Sequence, residues 1–244
     1  MNETLFKKYN VPVPRYTSYP TANEFEPFDA HRYLKAVETS NDAAADNISF
    51  YIHVPFCRHL CHYCGCNSVA MAKPDRITEY FETLHKEIDL LLPHLRKGRR
   101  ISQIHYGGGS PSSMPLHFIR SINEHLLSAF ETIDRPEIAI ECHPGYLKEE
   151  DWHYLLDSGF NRFSLGIQDF NDEVLRCVNR QPALLPVETI MRILREGGAK
   201  VNFDFIYGLP KQSVSAFVST IKKAISLRPD RLVTFSYAHL PSLF

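Results

Sequence analysis

The sequence predicts an α/β protein, an incomplete parallel (β/α)6 barrel with an extended N-terminal arm, on three observations. Six short β-branched or aromatic runs lie near 48–54, 101–106, 137–142, 162–167, 201–206 and 231–237. They alternate with segments near 76–95, 115–130, 148–158, 171–178, 187–196 and 213–226 that carry leucine and isoleucine at three- and four-residue spacing. Pro93, Pro136, Pro186 and Pro229 fall in the links between these runs, where a residue without an N–H does least harm. Strict alternation demands parallel strands with right-handed crossovers, so the sheet curls, and six units fall short of a closed eight.

Residues 1–47 stand outside the repeat. The prolines of VPVPRYTSYPTANEFEPF exclude a long helix before Asp29; a short helix is expected from Asp29 to Val37, then a polar link, SNDAAADN. RYTSYPT reads either as a surface arm packed on the barrel or as a contributor to the site. Residues 48–244 form the barrel. Lys97, Arg99 and Arg100 read as a solvated turn, His53 and His105 as satisfied core histidines, and Cys142 and Cys177 as packing residues.

Whole-chain properties narrow the function classes. The 244 residues are 44% hydrophobic, enough for one core. A net charge of -1 offers no broad footprint for nucleic acid. No run of 18 apolar residues exists to span a membrane. The N-terminus MNETLFKKYN has no apolar signal region, so a soluble cytoplasmic protein with reduced cysteines is expected, as a monomer.

In parallel sheets of this kind ligands sit beyond the carboxyl ends of the strands. The distinctive residues fall there. Tyr51 to Asn67, YIHVPFCRHLCHYCGCN, follows the first strand and sets four cysteines within ten residues. Cys57, Cys61 and Cys64 have the spacing C-x3-C-x2-C, which lets one loop turn three thiolates toward a common centre. Three soft ligands suit a 4Fe-4S cluster with one iron left open. A structural zinc knuckle is the competing reading, but it needs a second ligand pair and none follows.

Gly107, Gly108, Gly109 and Ser110 follow the second strand and let a ligand approach bare backbone, although a tight turn would read the same. The later glycine of a dinucleotide fingerprint and the Lys-Ser/Thr of a phosphate loop are both missing. Glu141 and Asp204 are carboxylates on apolar strands, where burial without a partner is costly, so they face a site or a salt bridge. Gln168 and Arg180 offer an amide and a cationic fork.

The cysteine spacing resembles the signature of the radical S-adenosylmethionine (SAM) superfamily. The glycines resemble its GGE-type element, with Gly109 in the usual acidic place. In order, YIHVPFCRHLCHYCGCN, IHYGGGSPS, IECHP, FSLGIQDF, VNRQ, DFIYGLPKQ and FSYAHLP, with RYTSYPT before them, resemble the oxygen-independent coproporphyrinogen III oxidase family.

That resemblance implies a radical SAM barrel in which Cys57, Cys61 and Cys64 hold a 4Fe-4S cluster and the open iron binds SAM. A 5'-deoxyadenosyl radical then starts oxidative decarboxylation of two propionates of coproporphyrinogen III to vinyl groups, giving protoporphyrinogen IX in anaerobic haem biosynthesis. It further implies two SAM molecules, at Tyr51, Tyr63, Gly108, Gly109, Ser110, Glu141, Gln168, Arg180, Asp204 and Ala238. Tyr51 and Cys66 are the expected catalytic residues, Cys66 beside SAM rather than as a fourth cluster ligand. A low-potential donor such as flavodoxin or ferredoxin would be the partner. The family's helical C-terminal domain is absent after Phe244, which leaves an inactive truncated copy open. A related haem chaperone is the rival reading; there CxxxCxxCxF ends in phenylalanine, where this chain has Cys66.

Overall fold

The computed structural model describes residues 3–11, 21–43 and 46–238. RYTSYPT, apart from Thr21, and the end of FSYAHLP lie outside the described residues.

A short helix not expected from the sequence, α1 (Glu3–Tyr9), opens the chain, with Lys7 paired to Glu3 one turn earlier at 3.0 Å. Helix α2 (Ala30–Ala43) starts where expected, its first turn accepting at the Asp29 carboxylate from Arg32 N at 2.8 Å. It runs well past Val37, into the stretch read as a polar link. The reason is tertiary: Asn41 donates to the His94 carbonyl at 2.8 Å and accepts from Arg96 N at 2.9 Å. Arg99, read as part of a solvated turn, is 7% exposed and donates to the Asn47 carbonyl at 3.1 Å and Ser40 Oγ at 3.3 Å. It ties α2 to the start of the sheet.

The repeat then unfolds as β1 (Asn47–Val54), two short strands β2 (Phe56–Cys57) and β3 (Val69–Ala70), α3 (Pro74–Leu91), β4 (Arg100–Gly108), α4 (Leu116–Ala129), β5 (Thr132–Cys142) and α5 (Glu149–Asp157). It continues with β6 (Arg162–Gln168), α6 (Asp172–Cys177), α7 (Val187–Glu196), β7 (Lys200–Tyr207), α8 (Val214–Ser226) and β8 (Arg231–Ser236). One six-stranded sheet, β1-β4-β5-β6-β7-β8, is parallel throughout. Among the described residues its edge strands β1 and β8 do not pair with each other, so the sheet stays open. The small β2-β3 pair was not legible, because two residues carry no period.

Pro136 is not in a link but inside β5. Pairing with β4 passes from Ile101↔Thr132 to Gln103↔Glu137, so the extra residues bulge and the proline owes the ladder no N–H.

Alternation along the strands decides what faces the site. In β6, Phe163, Leu165 and Ile167 are buried beneath the helices, whereas Ser164, Gly166 and Gln168 point to the other face. The buried side meets Ile119, Ile122 and Leu126 of α4, Trp152 and Leu155 of α5, and Ile190 and Leu194 of α7. Each such side chain contributes about 1.5–3 kcal/mol by leaving water. The opposite face therefore tolerates polar groups. Among the described residues no helix is long and apolar enough to cross a membrane.

Candidate active site

The cysteine loop is stapled to the carboxyl ends of β1 and β4. Gly109 N donates to the Val54 carbonyl at 2.8 Å, Ser110 N to Phe56 O at 3.0 Å and Val69 N to Pro55 O at 2.9 Å. Glycine is required twice: Gly108 has φ +114°, and a Cβ on Gly109 would stand 2.5 Å from Pro55 O and 2.9 Å from Cys57 Sγ. From the far side, Asn179 donates to Leu60 O at 2.9 Å and His62 N to Val178 O at 3.1 Å. The loop is thus clamped between β4 and the turn after α6.

A cavity of about 170 Å³ opens under it, bordered by Cys57, Cys61, Cys64 and Cys66. Tyr63, Gly108, Gly109, Ser110, Glu141, Gln168, Arg180 and Asp204 border the same space, so strands β4, β5, β6 and β7 and the loops beside them converge on it. Tyr51 and Ala238 do not line it. Tyr51 is 60% exposed, stacked on His105 at 5.8 Å with its hydroxyl 3.1 Å from His53 Nδ1; Ala238 is exposed just after β8.

His53 and His105 are not core histidines. With Ile52 and Val54 turned inward, the period of two sends Tyr51 and His53 to the site face. There His53 Nε2 meets the Asn67 carbonyl at 2.8 Å, and His105 Nε2 lies 3.2 Å from Glu141 Oε1.

The other carboxylate has no cation in hydrogen-bonding contact among the described residues. Asp204 accepts from Ser164 Oγ at 2.7 Å and from Asn202 Nδ2 at 2.8 Å, and burial raises its pKa in spite of these donors. Arg180 crosses β6, where a Cβ on Gly166 would touch its Nη2 at 2.7 Å. It donates to the Gly166 carbonyl and, at 3.5 Å, to Cys61 Sγ. A hydrogen bond from Cys66 pulls the Cys64 thiol down to about 6, and the same contact pushes Cys66 up.

Three features suit a bound group. Six thiols are free, three of them at C-x3-C-x2-C on one cavity wall. Gln168 and His143 line that cavity, and Gln168 Oε1 and His143 Nε2 are buried without partners among the described residues. The glycine cradle would be filled by any side chain. Among the described residues no three His, Cys, Asp or Glu side chains close on a single ion. A cluster asks for something else, since each thiolate takes a different iron.

Sequence reasoning passed over His143, Tyr146 and Arg58. Tyr146 stacks on His143 at 4.1 Å, lies 5.0 Å from the Arg58 guanidinium and holds His59 Nδ1 at 2.8 Å from its hydroxyl. The available signal was position: His143 and Tyr146 lie in the loop just past Glu141, and Arg58 adjoins Cys57.

An open parallel α/β sheet carrying a C-x3-C-x2-C loop at its carboxyl edge defines the class, and the comparisons agree. The chain belongs to the radical SAM superfamily, whose sequence model matches residues 51–224. Its similar proteins include the oxygen-independent coproporphyrinogen III oxidases of Escherichia coli (strain K12), 41% identical over 98% of this chain and 52% of that protein, and of Synechocystis sp., 36% identical over the same shares. The solved structure of coproporphyrinogen III oxidase (HemN) from Escherichia coli, a radical SAM enzyme, superposes with TM-score 0.84 at 39% identity, covering 99% of this chain and 54% of that one. The methyltransferase TsrM from Kitasatospora setae, 13% identical with TM-score 0.52 over 78% of this chain and 36% of that one, shares the fold alone. The chain spans about half the length of the curated relatives it matches.

Proposed function

We propose that this chain forms the radical SAM part of an oxygen-independent coproporphyrinogen III oxidase, decarboxylating two propionates of coproporphyrinogen III to vinyl groups. The observation that carries the reading is the meeting of the C-x3-C-x2-C thiols, the glycine cradle and two strand-end carboxylates on one cavity. Similarity to named oxidases over nearly the whole chain supports the substrate.

Cys57, Cys61 and Cys64 would hold the 4Fe-4S cluster. When bound, cluster and SAM supply a radical that takes hydrogen from unactivated carbon. Gly108, Gly109 and Ser110 present backbone to SAM without side-chain obstruction. Glu141, oriented by His105, offers its carboxylate to a cationic or hydroxyl group, and Asp204, primed by Ser164 and Asn202, does the same on the neighbouring strands. Arg180 lays a fixed positive charge beside the thiols and a ligand carboxylate. Gln168 adds an unpartnered amide oxygen. Tyr51 and Ala238 belong at the rim, the former beside His105 and Glu141. Room for a second SAM and delivery of electrons by a flavodoxin or ferredoxin follow from the same reading.

Anaerobic reconstitution with iron and sulfide, then SAM, reductant and coproporphyrinogen III, tests it. Release of 5'-deoxyadenosine and carbon dioxide is expected. Tight stoichiometric haem binding without decarboxylation would overturn the oxidase reading.

A further inference from the structure

We propose that His143 is a binding residue of the cysteine cavity, its Nε2–H donating to an anionic acceptor of the group bound there. The assignment rests on the cavity being a cluster and SAM site, as above. His143 is 8% exposed and borders the cavity. Its Nδ1 accepts from Gly145 N at 3.1 Å, so in the neutral ring the proton is on Nε2. That Nε2 is buried and has no partner among the described residues. An unmet buried donor is costly, and native folds keep few of them.

The ring cannot turn to find water. Tyr146 stacks on it at 4.1 Å, and the backbone at His143 is pinned by its N–H to Ser112 Oγ at 3.0 Å. Tyr146 is itself fixed to His59 and Arg58, between Cys57 and Cys61, so the imidazole is tied to the loop that carries the thiols. Trp152 Nε1 is also buried and unpartnered, but it lies in the helix-facing core, where no ligand can come. His143 differs because open space adjoins it.

Charge selects the acceptor. Burial first, then Arg180, His59 and Arg58, push the imidazole down to about 2, so it stays a neutral donor in cationic surroundings. Such a place favours an acceptor with negative charge. Two sources share that chemistry: the sulfurs of a cluster, or the carboxylate of SAM.

The test compares wild type with His143→Phe, which keeps the stacking and deletes the donor, and His143→Gln, which restores an N–H. All are reconstituted anaerobically, and iron content, cluster midpoint potential and SAM dissociation constant are read. With iron content unchanged, His143→Phe is expected to favour the oxidised cluster tenfold, about 59 mV lower for one electron, if sulfur is the acceptor. It is expected to bind SAM about tenfold more weakly if the carboxylate is. His143→Gln should recover at least half of either change. Should His143→Phe lose its circular-dichroism spectrum, His143→Met takes its place. A fully loaded variant that matches wild type in both potential and SAM affinity overturns the assignment alone. Wild type that takes up no iron overturns the site reading and this assignment with it.

Discussion

Arg180 reaches from the loop after α6 across β6, one guanidinium nitrogen 3.5 Å from Cys61 Sγ and another on the Gly166 carbonyl. Burial penalises the guanidinium, and Tyr63 and Cys61 beside it offset that penalty, so the buried cation is close to neutral for stability. Arg180→Met should therefore leave the metal-free protein within about 1 kcal/mol of wild type in urea unfolding. The loaded protein differs, because thiolates bound to iron keep their negative charge. Iron loss to a chelator under argon is expected to accelerate at least threefold, and an unchanged rate would remove Arg180 from the cluster's support.

On the proposed reading the four loop cysteines divide three to one. Cys57→Ala, Cys61→Ala and Cys64→Ala should each abolish the reconstituted cluster, read as iron content and visible absorbance. Cys66 hydrogen-bonds with Cys64 in the metal-free chain. Cys66→Ser is expected to keep iron and spectrum while decarboxylation falls sharply. A serine variant as empty of iron as Cys57→Ala would make Cys66 a ligand.

Most of the architecture was legible because period dominates it. Phe163, Leu165 and Ile167 announce a strand, and leucine and isoleucine at helical spacing announce the rest, so the six strands of the sheet and the six helices between them fell where the pattern put them. What escaped depends on tertiary partners. Asn41 extends α2 through bonds to residues more than 50 positions away, and no local signal encodes them. Pro136 obeys the rule against strand proline only through a bulge set by its pairing with β4. In the site, residue types with distinctive spacing were found, whereas His143 was hidden because a single histidine in a loop says nothing until its orphaned nitrogen is seen.

His85 and His125 join α3 to α4 on the outer layer, their Nδ1 atoms 2.8 Å apart. The second nitrogens are held by Ser121 at 3.2 Å and Asp89 at 3.0 Å. Burial first, then repulsion from His125, lowers the His85 pKa from 6.5. A lowered folded value means the unfolded chain binds the proton more readily. Stability is full above about 6.5 and is lost as pH falls below it. Replacing His85 by leucine should flatten the fall in Tm between pH 7 and 5, measured by calorimetry. A variant whose Tm falls as steeply as wild type would place the acid sensitivity elsewhere.

Asp204 shows the opposite sign. Its pKa is raised above 3.8, chiefly by burial, against the Ser164 and Asn202 donors. Between 3.8 and that raised value the native state keeps a proton that the unfolded chain has released, so stability falls as pH rises through the window. At neutral pH the carboxylate is consequently a liability to the empty protein, and a site that keeps it does so for a ligand. Asp204→Asn preserves the shape and removes the charge. At pH 7 it should stabilise the metal-free protein by roughly 1 kcal/mol, a gain of the size usual for relieving such conflicts. The gain should vanish toward pH 4, where the wild-type carboxyl regains its proton. SAM affinity of the reconstituted variant is expected to fall about tenfold. Urea unfolding at both pH values and SAM titration of the same preparation measure all three. Loss of several kcal/mol at pH 7 with unchanged SAM affinity would make Asp204 a structural residue, held in place for the strands it joins and not for a ligand.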